Sequence, residues 1–259
     1  MQHAWLEQAL KLADVSWQPV LRHGLAAVVA ADPDYLIRLS QDAFLPTNHR
    51  LFAAFAQPLD AVKYVLVGEG PYPREASATG VCFMDGAVDA LWSPAGLSKQ
   101  VNRATSLRNF MKMLMVADGL LTPESTTGEA VAEVAQSAQA TDSHFIQTLP
   151  ELQHNLHANG FLLLNAALVF RPHVPPLKEA KAWRPLLAVV LEALASRAGQ
   201  PAPTLVLWGK IAAWLEELSA VSHFPRAVAE HPYNLSFIKN KDMQQLFGPM
   251  RLLAAKNFQ

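Results

Sequence analysis

Five side chains in this chain are of types that could extract and read a heterocyclic base: Glu69, Tyr72, Phe83, Asn165 and His231. An amide such as Asn165 can donate to one ring oxygen and accept from a ring N–H, and a site built for that pairing rejects a mismatched base. Phe83 offers a stacking face, worth roughly 1–3 kcal/mol per base. The bulk of Tyr72 against the C5 edge of a pyrimidine would exclude a methyl group. Departure of the base leaves negative charge on its ring. A donor aimed at O2, the part suited to His231, is typically worth about 10²–10³ in rate. An acid near the sugar, Glu69, would orient water and offset positive charge, with general-base help of about 10²–10⁴. The set suits removal of a pyrimidine that has been unstacked and flipped into a pocket. Singly each residue is weak: a lone Asn after a strand is most often a turn former, and Phe83 alone is as readily a core residue.

Their placement lifts the reading. Four short apolar runs, 64–67, 161–164, 205–208 and 227–229, are bounded by Gly, Pro or Asn. Continuous apolar strands of this kind are buried on both faces, as in a parallel sheet covered by helices. Just past the runs come Gly68-Glu69-Gly70-Pro71-Tyr72-Pro73, Asn165, Gly209-Lys210 and His231-Pro232. Ligands of open α/β sheets bind at such carboxyl ends. Helical patterns cover 97–116, 143–158, 182–196 and 211–218, so strand and helix alternate. The expected fold is α/β: a three-layer α/β/α arrangement with a central four-stranded parallel sheet. One domain over 1–259 is expected, with a helical N-terminal part to residue 57 and a closing helix from 237. Residues 122–141, rich in Ser, Thr, Ala, Glu and Gln, read as a surface excursion with a short helix at 129–135.

Composition narrows the partners. A formal net charge of −1 gives no global attraction to nucleic acid. DNA binding must then come from local basic patches, with Lys99, Arg103, Arg108 and Lys112 as one candidate and Lys239, Lys241 and Arg251 as another. The single cysteine, Cys82, excludes an internal disulfide framework and an all-cysteine metal or iron–sulfur site. Among the nine histidines, His154 and His157 are the nearest pair and read as a solvated helix face. No metal and no cofactor are expected. The first ten residues do not read as a signal peptide, and no apolar stretch reaches a membrane-spanning length. The chain reads as a soluble, cytoplasmic monomer whose partner is DNA.

These motifs resemble the uracil-DNA glycosylase superfamily over residues 64–236. Its first motif, Gly-Gln-Asp-Pro-Tyr-His followed by Gly-Leu-Cys-Phe, aligns without gaps on Gly68 to Pro73 and Gly80 to Phe83. Leu162-Leu163-Leu164-Asn165-Ala166 is similar to Leu-Leu-Leu-Asn-Thr, and Leu207-Trp208-Gly209 matches a Leu-Trp-Gly strand end. His231-Pro232-Tyr233-Asn234-Leu235-Ser236 stands where the family has His-Pro-Ser-Pro-Leu-Ser. Ser106-Leu107-Arg108-Asn109 resembles the Ser-Leu-x-Asn after its proline-rich loop. The resemblance implies that Tyr72 excludes thymine, Phe83 stacks on uracil, Asn165 reads its edge and His231 stabilises O2. It further implies that Leu235 wedges into the duplex and that Ser106 and Ser236 contact phosphate.

The departures bear on catalysis. The family's water-activating aspartate falls at Gly70, its histidine at Pro73, and the first serine of the leucine loop at Tyr233. Gly-Glu-Gly-Pro also resembles the first motif of thermostable iron–sulfur uracil-DNA glycosylases, where a glutamate precedes the glycine and a second acid follows six residues later. Glu69 and Glu75 have that spacing, without the cluster cysteines. The expected function is excision of uracil from DNA with Glu69 as the acid. The alternatives are a weak or inactive uracil-DNA-binding homologue, a glycosylase for another damaged base, and a structural protein on this fold.

Overall fold

The computed structural model describes residues 4–255. Helices α1 (Ala4–Leu10), α2 (Gln18–Ala31) and α3 (Tyr35–Ser40) precede strand β1 (Tyr64–Gly68). The two-residue strands β2 (Trp92–Ser93) and β3 (Gly96–Leu97) come next, followed by α4 (Lys99–Arg103), α5 (Thr105–Ala117), α6 (Gly128–Ala138) and α7 (Leu149–Ala158). The order closes with β4 (Phe161–Asn165), α8 (Pro176–Ala195), β5 (Thr204–Trp208), α9 (Ile211–Glu216), β6 (Arg226–Ala229) and α10 (Lys241–Phe247). The four-stranded sheet has the order β4-β1-β5-β6, and β1 runs parallel to both of its neighbours. This is the expected α/β fold, and each of the four expected strands is present.

Two compact units divide the chain, Met1–Gly86 with Gly160–Arg226, and Ala87–Asn159 with Ala227–Gln259. In the first, β1 is central. Tyr64 lies opposite Phe161 and Thr204, and the register with β4 continues to Gly68 opposite Asn165. Val65, Val67, Leu162, Leu164, Leu205 and Leu207 join one core with residues of α2 and α8. The alternating Leu66, Leu163 and Val206 are buried as well. Burial on both faces is why these strands read as unbroken apolar runs. Helix α8 is longer than the expected 182–196: it starts with Pro176, which its first turn tolerates, and runs through Pro185. It passes α2 at Gly24, where a Cβ would sit 2.8 Å from Leu186 Cγ. The N-terminal helices are tied in by polar links as well: Trp17 Nε1 donates to the Gln57 carbonyl and Gln57 Nε2 to that of Phe161.

In the second unit, the helix expected over 97–116 is broken in two. Ala104 (φ −86°, ψ 81°) ends α4 and begins α5, and Ser98 caps α4 by accepting from the Val101 N–H. The pattern over 143–158 becomes helical only at Leu149, because Thr148 and Glu151 form a reciprocal capping box with Pro150 in the first turn. Within 122–141 lies α6, which buries Val131, Val134, Ala135 and Ala138 and packs on β3. The closing helix from 237 is a 3-10 turn, Leu235–Lys239, followed by α10. That turn packs against α5.

Candidate active site

The carboxyl end of β1 is fixed to the segment after β4. Ala166 N–H donates to the Gly68 carbonyl at 2.8 Å and Ala167 N–H to that of Glu69 at 3.0 Å. Segment 80–83 crosses the same place, with Cys82 N–H donating to the Leu163 carbonyl. Gly68 lets these strands of chain meet. A Cβ there would lie 2.5 Å from Cys82 Sγ and 3.3 Å from Asn165 Oδ1. Cys82 is fully buried, and burial pushes its thiol up to about 12, so it remains a neutral packing group rather than a nucleophile.

Asn165 is only 5% exposed. Among the described residues its carboxamide has no hydrogen-bond partner. Its amide atoms keep a little solvent contact, so the carboxamide is left available to a ligand with complementary groups. Phe83, next to Cys82, adopts φ +68°, a conformation rare for a bulky residue and one that clusters at functional sites. Its ring meets that of Trp208, at the end of β5, edge-on with centroids 5.4 Å apart. Tyr72 is half-buried. Burial above all, with the negative charge of Asp85 adding, holds its hydroxyl protonated well above the usual phenol range. Asp85 is itself buried, with the Arg74 guanidinium 3.4 Å away.

The first motif's acid is held differently. Glu69 is exposed and has no hydrogen-bond or ion-pair partner among the described residues. It lines a hollow of about 370 Å³ with Ala166, Leu177, Lys210 and Trp214, and a second of about 210 Å³ with Gly70, Arg171 and Glu179. Neither hollow is lined by Tyr72, Phe83 or Asn165. At Gly70 a Cβ would find only ordinary contact, 3.4 Å from Ala167 Cβ. Glu75 accepts from the Thr47 hydroxyl at 3.0 Å.

The second unit carries the other expected residues. His231 follows β6, and its Nδ1 accepts from the Tyr233 N–H at 3.1 Å. In the neutral ring the proton therefore sits on Nε2, which makes Nε2 a donor. Asn109 of α5 is fully buried and donates to the carbonyls of Pro232, Tyr233 and Asn234, the shortest at 2.7 Å. Leu235 is 69% exposed, so it is not a core leucine. Glu230 loses some ionisation to burial, but hydrogen bonds from Ser236 and Asn240 more than offset this and hold its carboxyl below the usual range. Ser106, in the first turn of α5, is half-buried.

Sequence reasoning missed two features. Asn109 was matched only as part of a motif, and its role as a clamp on the leucine loop has no local signal because its partners lie more than a hundred positions away. A buried cluster beside the smaller hollow was also missed. There Glu179, 2% exposed, accepts from the Tyr35 hydroxyl and pairs with Arg171 at 2.9 Å, while Arg171 also reaches Asp42. Among the described residues, no group of three His, Cys, Asp or Glu side chains is placed to hold a metal ion. None of the described helices is long and apolar enough to cross a membrane.

No family model matches the chain. The UNG crystal structure from Nitratifractor salsuginis is 37% identical and superposes with a TM-score of 0.88, covering 99% of each chain. This chain belongs to the uracil-DNA glycosylase superfamily. It is accordingly a glycosylase-type hydrolase. The uracil-DNA glycosylase of Corynebacterium glutamicum is 29% identical over 224 residues, spanning 85% of this chain and 80% of that protein. Mimivirus uracil-DNA glycosylase, 14% identical with a TM-score of 0.54 over 88% of this chain and 72% of its own, shares the fold.

Proposed function

We propose that this protein hydrolyses the N-glycosidic bond of deoxyuridine in DNA after flipping the base from the helix. The observation that carries the reading is the carboxamide of Asn165, a largely buried residue at a strand end whose amide no described residue pairs. Its Nδ2 donates to uracil O4 and its Oδ1 accepts from the N3–H, while Phe83 stacks on the ring. Tyr72 blocks the C5 methyl of thymine. Water adds to the sugar C1′ as the bond to N1 breaks, and the electron pair leaves with the base. The Nε2–H of His231 donates to O2 and stabilises that anion. Glu69 orients the water and takes up its proton. Leu235 enters the duplex where the base leaves, and Ser106 and Ser236 bind backbone phosphate.

A second reading is a uracil-DNA binder without catalysis. Two observations favour it: residue 70 has no side chain, and Glu69 lines hollows built from residues other than the base-reading set. Single-turnover release of uracil from a labelled oligonucleotide, with binding measured in parallel, separates the two. Glycosylase chemistry predicts that the wild type leaves an abasic product. It also predicts that Glu69→Gln slows release about 10²–10⁴-fold while keeping its affinity for DNA. Tight binding with no abasic product at any pH or salt concentration would establish the binder instead. Release of a modified pyrimidine, but never of uracil, would redirect the assignment to another lesion.

A further inference from the structure

Asn109 meets the loop after β6 with an amide whose orientation is set. Its side chain is fully buried, and its Oδ1 accepts from Arg108 Nε at 3.3 Å. Nδ2 is therefore the end turned toward the loop. Around it lie the carbonyls of Pro232 at 2.7 Å, Tyr233 at 3.3 Å and Asn234 at 3.4 Å. An amide nitrogen carries two protons, so three oxygens share two donors and the short bond to Pro232 leads.

The Pro232 oxygen belongs to the same planar peptide unit as the Tyr233 N–H. That unit is trans, so the two groups point opposite ways. Holding the oxygen at Asn109 on one side aims the N–H to the other, where His231 Nδ1 accepts it at 3.1 Å. The loop's own closure does not do this. Residues 231–234 form a turn whose Asn234 N–H donates to the His231 carbonyl at 2.9 Å. Such a bond ties the two ends of a turn, while the turn types differ chiefly in how the central peptide unit is rotated. Here the central unit is Pro232–Tyr233. His231 is exposed, so burial does not fix its ring either.

We propose that Asn109 is a positioning residue for catalysis: through the Pro232–Tyr233 peptide it sets the His231 ring so that Nε2–H is presented to uracil O2. This rests on the uracil-excision reading above and adds to it a residue buried beneath the loop. A reacting or donating group misplaced by about 1 Å can lose about 10²-fold in rate, which approaches the worth of such a donor. Asn109 then acts on the chemical step without touching the base.

The test uses the full chain and follows single-turnover excision of uracil at rising protein concentration, which separates rate from half-saturation. Wild type, Asn109→Ala, Asn109→Asp, His231→Ala and the double variant with alanine at both positions are compared, each below its own unfolding midpoint. Asn109→Ala should slow excision about 10-fold to 10²-fold while half-saturation changes less than about threefold. Asn109→Asp, which keeps the shape and loses the donors, should fall as far. In the His231→Ala background, removing the amide should cost less than about threefold, because the ring it sets is gone. Nitrogen NMR of the histidine rings should find the His231 proton on Nε2 in wild type and both neutral forms in Asn109→Ala. An equal loss with and without His231 would mean that the amide serves stability alone, and would overturn the proposal. So would a wild-type ring with its proton on Nδ1, a result that needs no variant to fold. Either result, with uracil still released by wild type, leaves the functional reading standing. Wild-type protein that releases no uracil would overturn that reading and this assignment with it.

Discussion

Replacing Asn165 by leucine separates a residue that reads a ligand from one that supports the fold. The substitution keeps a similar shape and removes only the amide's polarity. Inside the protein nothing hydrogen-bonds that carboxamide among the described residues, and it is 5% exposed. Loss of the amide therefore breaks no internal bond. An apolar group at a buried position with no polar partner should leave the urea midpoint unchanged or slightly raised. On the substrate the effect is opposite. Two hydrogen bonds to the uracil edge would vanish and leave buried polar groups of the base unpaired. At about 1–3 kcal/mol for each, the loss is about 2–6 kcal/mol, or roughly 30-fold to 10⁴-fold in kcat/KM. Single-turnover excision and equilibrium unfolding on the same preparation measure both. Activity within threefold of wild type would refute the base-reading role. A large fall in stability, with activity lost in proportion, would show the amide to be a structural group after all.

Two further outcomes follow from the crossing of chain segments at Gly68. Gly68→Ala puts a methyl group 2.5 Å from Cys82 Sγ and 3.3 Å from Asn165 Oδ1, so it should cost about 1–3 kcal/mol in a denaturant titration. Excision should fall further than stability does, and adding Cys82→Ala should restore part of both. The thiol also sets a pH dependence. Its ordinary value of 9.0 is raised to about 12 by burial, so between these limits the unfolded thiol ionises while the folded one stays neutral. Stability is therefore intact below pH 9 and falls as pH rises, by about 1.4 kcal/mol at pH 10. Cys82→Ala should lose that part of the slope between pH 8 and pH 10; an identical slope in the variant would mean that other groups carry it.

How much of this was legible in the sequence depended on whether the determining contacts were local. Strands such as Phe161–Asn165 are buried on both faces and so print an unbroken apolar run. The start of α7 was also written locally, in Thr148 and Glu151, but hydrophobic pattern alone placed it six residues early. Pro175, Pro176 and Pro185 concealed the first turns of α8, although proline fits a first turn. Exposure was harder to foresee. An apolar letter does not say whether its side chain is inside, and only the fold shows Leu235 and Tyr233 facing solvent. Long-range polar contacts left no trace: Tyr35 and Glu179 are 144 positions apart, and Asn109 and Pro232 are 123 apart.

The same contrast runs through the chemistry. The groups assigned to recognition are held by the fold: Asn165 by the ladder that pairs it with Gly68, and Phe83 by its left-handed backbone and the Trp208 ring. His231 is set as an Nε2 donor by the Tyr233 N–H. Glu69 is not held. Its carbonyl is fixed by Ala167, but its carboxylate has no partner among the described residues and lies at a hollow shared with Lys210 and Trp214. A general base works only when it is oriented toward the water it activates. If Glu69 is that base, orientation must arrive with the DNA, which would fill the open side of the first motif and restrict the side chain. Base recognition would then be built into the free protein, while catalytic alignment would be completed by the substrate.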